Sequence, residues 1–202
     1  MHELEIHALD LRQVDAAVAM HERCSPQTIL NRYLQPVPRS GPYVRKLLGA
    51  RGGRSFAAVT AGAHIIGLAH LLPDGDGSSC EAALLVEDAH QRRGVGRRLL
   101  GALVGAAEDA GYTSMHGYVR RGSQSLGRSL QELGVPFQQT YDDGLLRVSI
   151  EVKDLRGTVR RRCDATALPN AVTAPRHQET PCGGSAGSVT GTRLAAFRLR
   201  SA

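Results

Sequence analysis

A short glycine-containing segment of this chain has the composition of a phosphate-binding site. Residues 91–97 read QRRGVGR and lie between an apolar stretch and a sequence with helical periodicity. A helix N-terminus offers unpaired backbone N–H groups and the positive end of the helix dipole, and glycines let that backbone approach an anion closely. A Gly-x-Gly pair alone is equally typical of an ordinary turn, so the flanking elements must distinguish the two.

The sequence on both sides of this segment favours the phosphate site. Residues 82–86 are apolar on both faces, which predicts a strand buried inside a sheet. After the glycines, apolar residues recur at helical spacing, and Gly111 predicts the end of that helix. The apolar stripe consists of Val95, Leu99, Leu100, Leu103, Val104 and Ala107. Strand, anion loop and amphipathic helix therefore follow one another in the order that phosphate binding requires.

Two other phosphate motifs fit the same residues poorly. A Walker-type loop needs Gly-Lys-Ser/Thr at the helix start, but the two lysines of the chain, Lys46 and Lys153, lie outside any glycine loop. A dinucleotide-binding fingerprint needs a third glycine where Leu99 stands, and an acidic residue that is missing near His116. The sequence therefore disfavours both nucleotide-binding classes.

The segment resembles the acetyl-CoA pyrophosphate loop of the GNAT family of N-acetyltransferases, because QRRGVG fits the pattern Gln/Arg-x-x-Gly-x-Gly/Ala. The resemblance implies acetyl-CoA as co-substrate and no metal ion. It also implies that the strand backbone before the loop hydrogen-bonds the pantetheine arm, and that Ser123 replaces an asparagine that contacts CoA in many relatives. The residues assigned in this way to cofactor binding are Leu84, Leu85, Val86, Gln91, Arg92, Arg93, Gly94, Val95, Gly96, Arg97 and Ser123.

Acetyl transfer to an alkyl amine requires the neutral amine, and a lysine side chain has a pKa of about 10.4. Holding it neutral at pH 7 costs about 4 to 5 kcal/mol, so a base is useful. Glu81 lies ten residues before Gln91, where the resemblance implies the general base of lysine-modifying relatives. On an ideal strand its apolar neighbours Ala83 and Leu85 share its face, and an apolar surrounding favours an uncharged carboxyl. By residue type alone, Glu81 could equally be an exposed glutamate satisfied by water.

Two further residues near Glu81 could take part in the chemistry. Tyr118, on the predicted strand beside the cofactor cleft, is our candidate for the acid that protonates the departing thiolate, although a packed sheet tyrosine is the alternative. Cys80 should point to the face opposite Glu81, so we do not assign it as a nucleophile. The predicted catalytic pair is thus Glu81 and Tyr118.

Residues 21–33 resemble the first helices of the bacterial protein lysine acetyltransferase group through the pattern R-x-S-x-x-T followed by R-Y. The resemblance implies a protein lysine as acceptor, with acyl-CoA synthetases as possible protein partners. A small amine such as an antibiotic or a polyamine is the alternative acceptor and should need an acidic pocket. Such a pocket could be supplied by Asp74, Asp76, Asp142 and Asp143. A non-catalytic acetyl-CoA sensor is the third possibility.

The predicted elements follow the order β-α-α-β-β-β-α-β-α-β-β, which is the GNAT order and covers residues 1–152 as one domain. The fold class is α/β (α+β), with a central, mostly antiparallel twisted sheet of six or seven strands flanked by helices. The strands are expected at residues 4–9, 55–60, 63–72, 81–86, 114–119, 137–141 and 145–152, and a helix at 123–133. The second helix is expected to include Leu34, and a further short helix to run from Gly41 through Leu48.

The charge is unevenly distributed along the chain. Residues 1–152 hold 16 Lys and Arg against 16 Asp and Glu, whereas residues 153–202 hold 9 against 3. The basic excess therefore belongs to the tail, which is predicted to be disordered, and does not indicate nucleic-acid binding. The four cysteines show no C-x-x-C or zinc-type spacing, and no apolar stretch is long enough to span a membrane. We therefore expect a cytoplasmic protein.

Overall fold

The computed structural model describes residues 4–37, 39–120, 125–142 and 144–155. Seven strands form one mixed sheet: β1 (Leu4–Leu9), β2 (Arg54–Thr60), β3 (Ile65–Pro73), β4 (Ser79–Val86), β5 (Ser114–Arg120), β6 (Gln138–Asp142) and β7 (Leu145–Glu151). Five helices accompany them: α1 (Val14–Glu22), α2 (Pro26–Tyr33), α3 (Ser40–Leu48), α4 (Val95–Asp109) and α5 (Ser125–Leu133). Short 3-10 turns occupy Leu11–Gln13, Asp88–His90 and Val152–Leu155.

The strands lie in the order β1-β2-β3-β4-β5-β7-β6. Strands β4 and β5 are parallel, because α4 connects them as a crossover, and the other neighbouring strands are antiparallel. The predicted fold class is confirmed, and the sheet has the larger of the two strand numbers expected. Three helices separate β1 from β2. The third is the short helix expected from Gly41 through Leu48, which the predicted element order did not count.

Helices cover both faces of the sheet and enclose two apolar cores. On one face, α1 and α3 pack on the middle strands through Met20, Val44 and Leu68. On the other face, α4 and α5 pack through Leu99, Leu103 and Leu130. The stripe predicted from helical spacing in α4 is buried, since each of its six members is at most 4% exposed.

Local sequence signals explain where the first helices begin and end. Ser25 caps α2 by accepting a hydrogen bond from the Thr28 N–H, and Pro26 occupies the first helical position. Leu34 was expected inside this helix, but its left-handed backbone (φ 61°) ends the helix there. The Leu34 N–H closes the last turn by donating to the Leu30 carbonyl. The chain therefore turns away from α2 directly after Tyr33.

Some expectations concern residues that the structure does not describe. Ser123 and most of the predicted tail, residues 156–202, lie outside the described residues. Within the described chain, no helix combines the length and apolar composition needed to cross a bilayer.

Candidate active site

Strands β4 and β5 pair at one end and separate at the other. Their parallel register runs from Ser79–Ser114 to Glu81–His116, and no further pair follows although β4 continues to Val86. An added Cβ on Gly117 would lie 2.9 Å from the Ala82 carbonyl oxygen, so only a glycine fits where the pairing ends. Beyond Glu81, this edge of β4 is free of β5 and can accept an extended ligand as an additional strand.

Two recesses lie at this split, one on each face of the sheet. The first is open to solvent, spans about 430 Å³ below α2 and α3 and is lined by Arg32, Tyr33, Leu34, Leu47, Leu72, Glu81, Ala82, Ala83 and Tyr118. The second, also open to solvent, spans about 280 Å³ between the sheet and helices α4 and α5, and its walls include Ala82, Leu84, Leu100, Leu126 and Leu130. Ala82, the residue after Glu81, lines both recesses.

Glu81 lies in a buried environment. It is 8% exposed, and the same face of β4 carries Leu85, which packs into the core below α1 and α3. The exposed glutamate considered from residue type alone is therefore not what the fold contains. Cys80 points to the opposite face and packs beside α4. Burial, and to a smaller extent the charge of Asp74, raises the pKa of its thiol to about 12. A thiol of that kind is a poor nucleophile at neutral pH.

Tyr118 lines the same recess as Glu81. A histidine to which the sequence analysis gave no role neighbours both residues. His116 is the register partner of Glu81, its ring contacts Tyr118 edge-on at 5.5 Å between centroids, and its Nδ1 lies 3.6 Å from Asp74 Oδ2. Burial and the charge of Arg147 lower the pKa of His116, and Asp74 opposes them. Only the parallel pairing of β4 with β5 could have revealed this neighbour.

Tyr33 is held at the wall of the recess by a buried histidine. His21 Nδ1 lies 2.7 Å from the Ala17 carbonyl oxygen, so it donates there, and Nε2 is left to accept the Tyr33 hydroxyl at 2.8 Å. Burial lowers the pKa of His21 to about 4, which keeps the imidazole neutral in this arrangement. The sequence singled out Tyr33 only as part of a motif, and the fold makes it part of the recess.

The glycine segment begins α4 with a left-handed residue. Gly94 has φ 82° at the helix N-cap, and the Arg98 N–H closes the first turn on its carbonyl. The first backbone N–H groups of an α-helix point out of its N-terminus, because no earlier turn supplies carbonyl acceptors for them. The Val95 side chain is buried in the core, so only its backbone could face an anion, while Arg92 and Arg93 are exposed at the loop. This backbone fits a diphosphate.

The Gln91 side chain is used within the protein. Its amide donates to the Val86 carbonyl oxygen at 3.0 Å and to the Thr28 hydroxyl at 3.1 Å. It therefore ties the loop to the end of β4 and to α2 at the same time, which is a positioning role.

The R-x-S-x-x-T pattern forms a set of contacts with the same loop. Arg23 pairs with Glu87 at 3.1 Å and donates to the Ile65 carbonyl oxygen at 2.6 Å. Asp88 accepts hydrogen bonds from Ser25 and Thr28, and those from the Ser25 backbone and hydroxyl are the chief cause of its lowered pKa. The motif thus fastens α2, which lines one recess, to the loop that begins α4.

The acidic pocket considered for a small amine is not formed by Asp74 and Asp76. Asp76 accepts from the backbone N–H groups of Ser78 and Ser79 in the β3–β4 turn, and neither aspartate lines a recess. The Asp142 side chain and Asp143 lie outside the described residues. No described group of three or more His, Cys, Asp or Glu side chains is arranged to hold a metal ion.

Comparison with known proteins gives a family and a fold. The family model described as acetyltransferase (GNAT) family matches residues 13–126. Among solved structures, the GNAT domain of S. lividans PAT is 23% identical with a TM-score of 0.66, covering 73% of this chain and 90% of that one. The yncA protein of Salmonella typhimurium, solved with its cofactor acetyl-CoA, is 18% identical with a TM-score of 0.59, covering 74% and 94%.

A third similar structure is a spermidine N-acetyltransferase SpeG chimera from Vibrio cholerae and hSSAT, which is 16% identical with a TM-score of 0.58, covering 77% of this chain and 99% of that one. No curated protein matches the chain. At these sequence identities the three structures show that the chain shares their fold and nothing more.

Proposed function

Since this chain belongs to the GNAT family of acetyltransferases, we propose that it transfers the acetyl group of acetyl-CoA to the side-chain amine of a protein lysine, with Glu81 as general base. The observation that carries the proposal is the position of Glu81 where the pairing of β4 with β5 ends, in the first recess and next to Ala82, which lines both recesses. A donor on the α4 side and an acceptor on the α2 side would approach each other at this carboxylate.

The residues around the split fit acetyl-CoA. The left-handed Gly94 and the first turn of α4 present backbone N–H groups to the diphosphate, with Arg92, Arg93 and Arg97 nearby. The edge of β4 at Leu84–Val86 offers backbone groups to the pantetheine arm. When bound, acetyl-CoA supplies an activated thioester.

Two side chains of the first recess then carry out the proton transfers. A lysine ammonium entering the first recess meets Glu81, which takes its proton and leaves the neutral amine free to attack. Because Glu81 is only 8% exposed, its interaction with the ammonium is screened less than it would be in bulk water. Tyr118, on the wall of the same recess, is our candidate to protonate the departing thiolate.

The lining of the first recess suits a lysine side chain. Leu34, Leu47, Leu72 and Ala83 give it an apolar wall, against which the four-carbon stem of a lysine can pack while the amine reaches Glu81. The similarity of the PAT GNAT domain and the R-x-S-x-x-T pattern support the same acceptor class. Acyl-CoA synthetases are the protein partners we propose to test first, in a cytoplasmic setting.

The test is to incubate the full chain with labelled acetyl-CoA and separate panels of lysine-containing proteins, including acyl-CoA synthetases, and of small amines. We expect label on lysines of the protein panel. Glu81→Gln should lower turnover by about 10²- to 10⁴-fold while calorimetry finds unchanged acetyl-CoA affinity. Glu22→Gln, an exposed change on α1, is the matched control and should keep full turnover.

Three outcomes would contradict the proposal. Transfer to small amines alone would show that the acceptor is a small amine and not a protein lysine. Acetyl-CoA binding without transfer to either panel would indicate a sensor. Full turnover by Glu81→Gln at neutral pH would remove Glu81 as the base.

A further inference from the structure

We infer that the enzyme selects lysines that stand beside an aspartate or glutamate, because Arg32 and Glu81 place one positive and one negative charge on the wall of the same recess. This inference rests on the proposed lysine acetyltransferase activity and names the acceptor class more closely. Among the described residues that line the recess, Arg32 and Glu81 are the charged ones, and the remainder are apolar or tyrosine.

The guanidinium of Arg32 packs on an aromatic ring that is itself held in place. Its central carbon lies 4.9 Å from the centroid of the Tyr33 ring, over which it stacks. The Tyr33 hydroxyl is held by His21, and the ring packs edge-on against Tyr43 at 5.5 Å between centroids. A cation on such a platform keeps its place relative to Glu81 better than one on a free surface side chain.

Within the described residues, no carboxylate forms an ion pair with Arg32. Its positive charge nevertheless acts inside the protein. After burial, which is the main cause, the charge of Arg32 contributes to the lowered pKa of His70. Because Arg32 lines the recess, its guanidinium can bind an anion that enters there.

The two charges define which acceptors fit. A lysine with an acidic neighbour brings its ammonium to Glu81 and its carboxylate to Arg32, where a planar guanidinium can donate two hydrogen bonds. A polyamine brings a second ammonium group, which Arg32 repels and which no second carboxylate in the described lining offsets. Selection between the two follows from like-charge repulsion as much as from attraction.

The experiment compares three peptides that differ only beside a single lysine, with glutamate, glutamine or lysine as the neighbour, and adds spermidine as a fourth acceptor. The full chain should acetylate the glutamate peptide with kcat/KM about 10- to 100-fold above the glutamine peptide. Arg32→Gln should abolish this preference, and Arg32→Glu should reverse it toward the lysine peptide and spermidine. Arg32→Lys should keep part of it.

Arg45→Gln is the control, because it removes an exposed arginine from α3 that does not line the recess. Equal turnover of the glutamate and glutamine peptides by the unaltered chain, or an unchanged preference in Arg32→Gln, would overturn this inference while leaving lysine acetylation in place. Transfer to spermidine with no transfer to any peptide would overturn the proposed function as well.

Discussion

The Asp88 carboxylate accepts two hydrogen bonds from Ser25, one from the backbone N–H at 2.8 Å and one from the hydroxyl at 2.7 Å. A third comes from the Thr28 hydroxyl at 2.8 Å. The carboxylate thereby lies at the positive end of α2 and fixes the 3-10 turn between β4 and the glycine segment against that helix. Any shift of the loop would strain the helix that carries Arg32 and Tyr33.

We expect Asp88→Ala to lower the free energy of unfolding by about 1 to 2 kcal/mol, because the variant loses three hydrogen bonds at the start of a helix. The affinity for acetyl-CoA should fall with it, since the loop loses its anchor. Urea denaturation and calorimetry measure the two effects. Asp109→Asn, at the C-terminal end of α4, is the control and should lower neither quantity, because it removes a negative charge from the negative end of a helix. Loss of stability with full affinity would show that the anchor does not position the loop.

Gly94→Ala should weaken acetyl-CoA binding. An added Cβ finds space, with Arg97 Nη2 at 3.8 Å as its neighbour, but the φ of 82° is a conformation that costs an alanine about 1 to 2 kcal/mol. We expect a higher Kd by calorimetry and a lower unfolding free energy. Gly105→Ala is the matched control, because a Cβ added at this position of the same helix would have nothing within 4 Å. That variant should gain about 0.5 to 1 kcal/mol and bind normally.

Cys80→Ala should retain catalytic turnover. The thiol is buried and its pKa is raised to about 12, so it carries almost no thiolate at neutral pH. A direct attack by the amine predicts sequential kinetics in both the unaltered chain and the variant. An acetylated Cys80 detected by mass spectrometry, or ping-pong kinetics lost in the variant, would contradict this mechanism. Removal of the buried sulfur should cost about 1 kcal/mol of stability.

Because of the lowered pKa of His21, we expect the protein to lose stability in mild acid. The pKa of His21 is about 4 in the fold, against 6.5 for an unperturbed histidine, so the unfolded chain binds the proton first. The stability present above pH 6.5 is therefore lost as the pH falls toward 4, by about 2 kcal/mol at pH 5. His21→Gln should be less stable at pH 7.5 and should show a smaller loss between pH 7.5 and 5 in urea denaturation. An identical pH dependence in both proteins would contradict this.

The local elements of the site were predictable from the sequence. The apolar run 82–86, the glycine segment and the stripe of α4 are each written in consecutive residues, because strand and helix periodicities repeat over a few positions. The opposite facing of Cys80 and Glu81 follows from the same period of two. The end of α2 was wrong, at Leu34, since a non-glycine residue in the left-handed region leaves no clear sequence signal. Several strand and helix ends, such as the start of β3, differ from the prediction by one or two residues.

Which distant segments meet was decided by the tertiary structure alone. The sequence by itself determined a strand, a glycine loop and a helix in the right order, with Glu81 near the start of the strand. Only the parallel pairing of β4 with β5 set His116 beside Glu81, and only the packing of α2 across the sheet brought Arg32 and Tyr33 to the same recess. The physical reason is that register and helix docking depend on contacts between residues far apart in the chain, which no local spacing records.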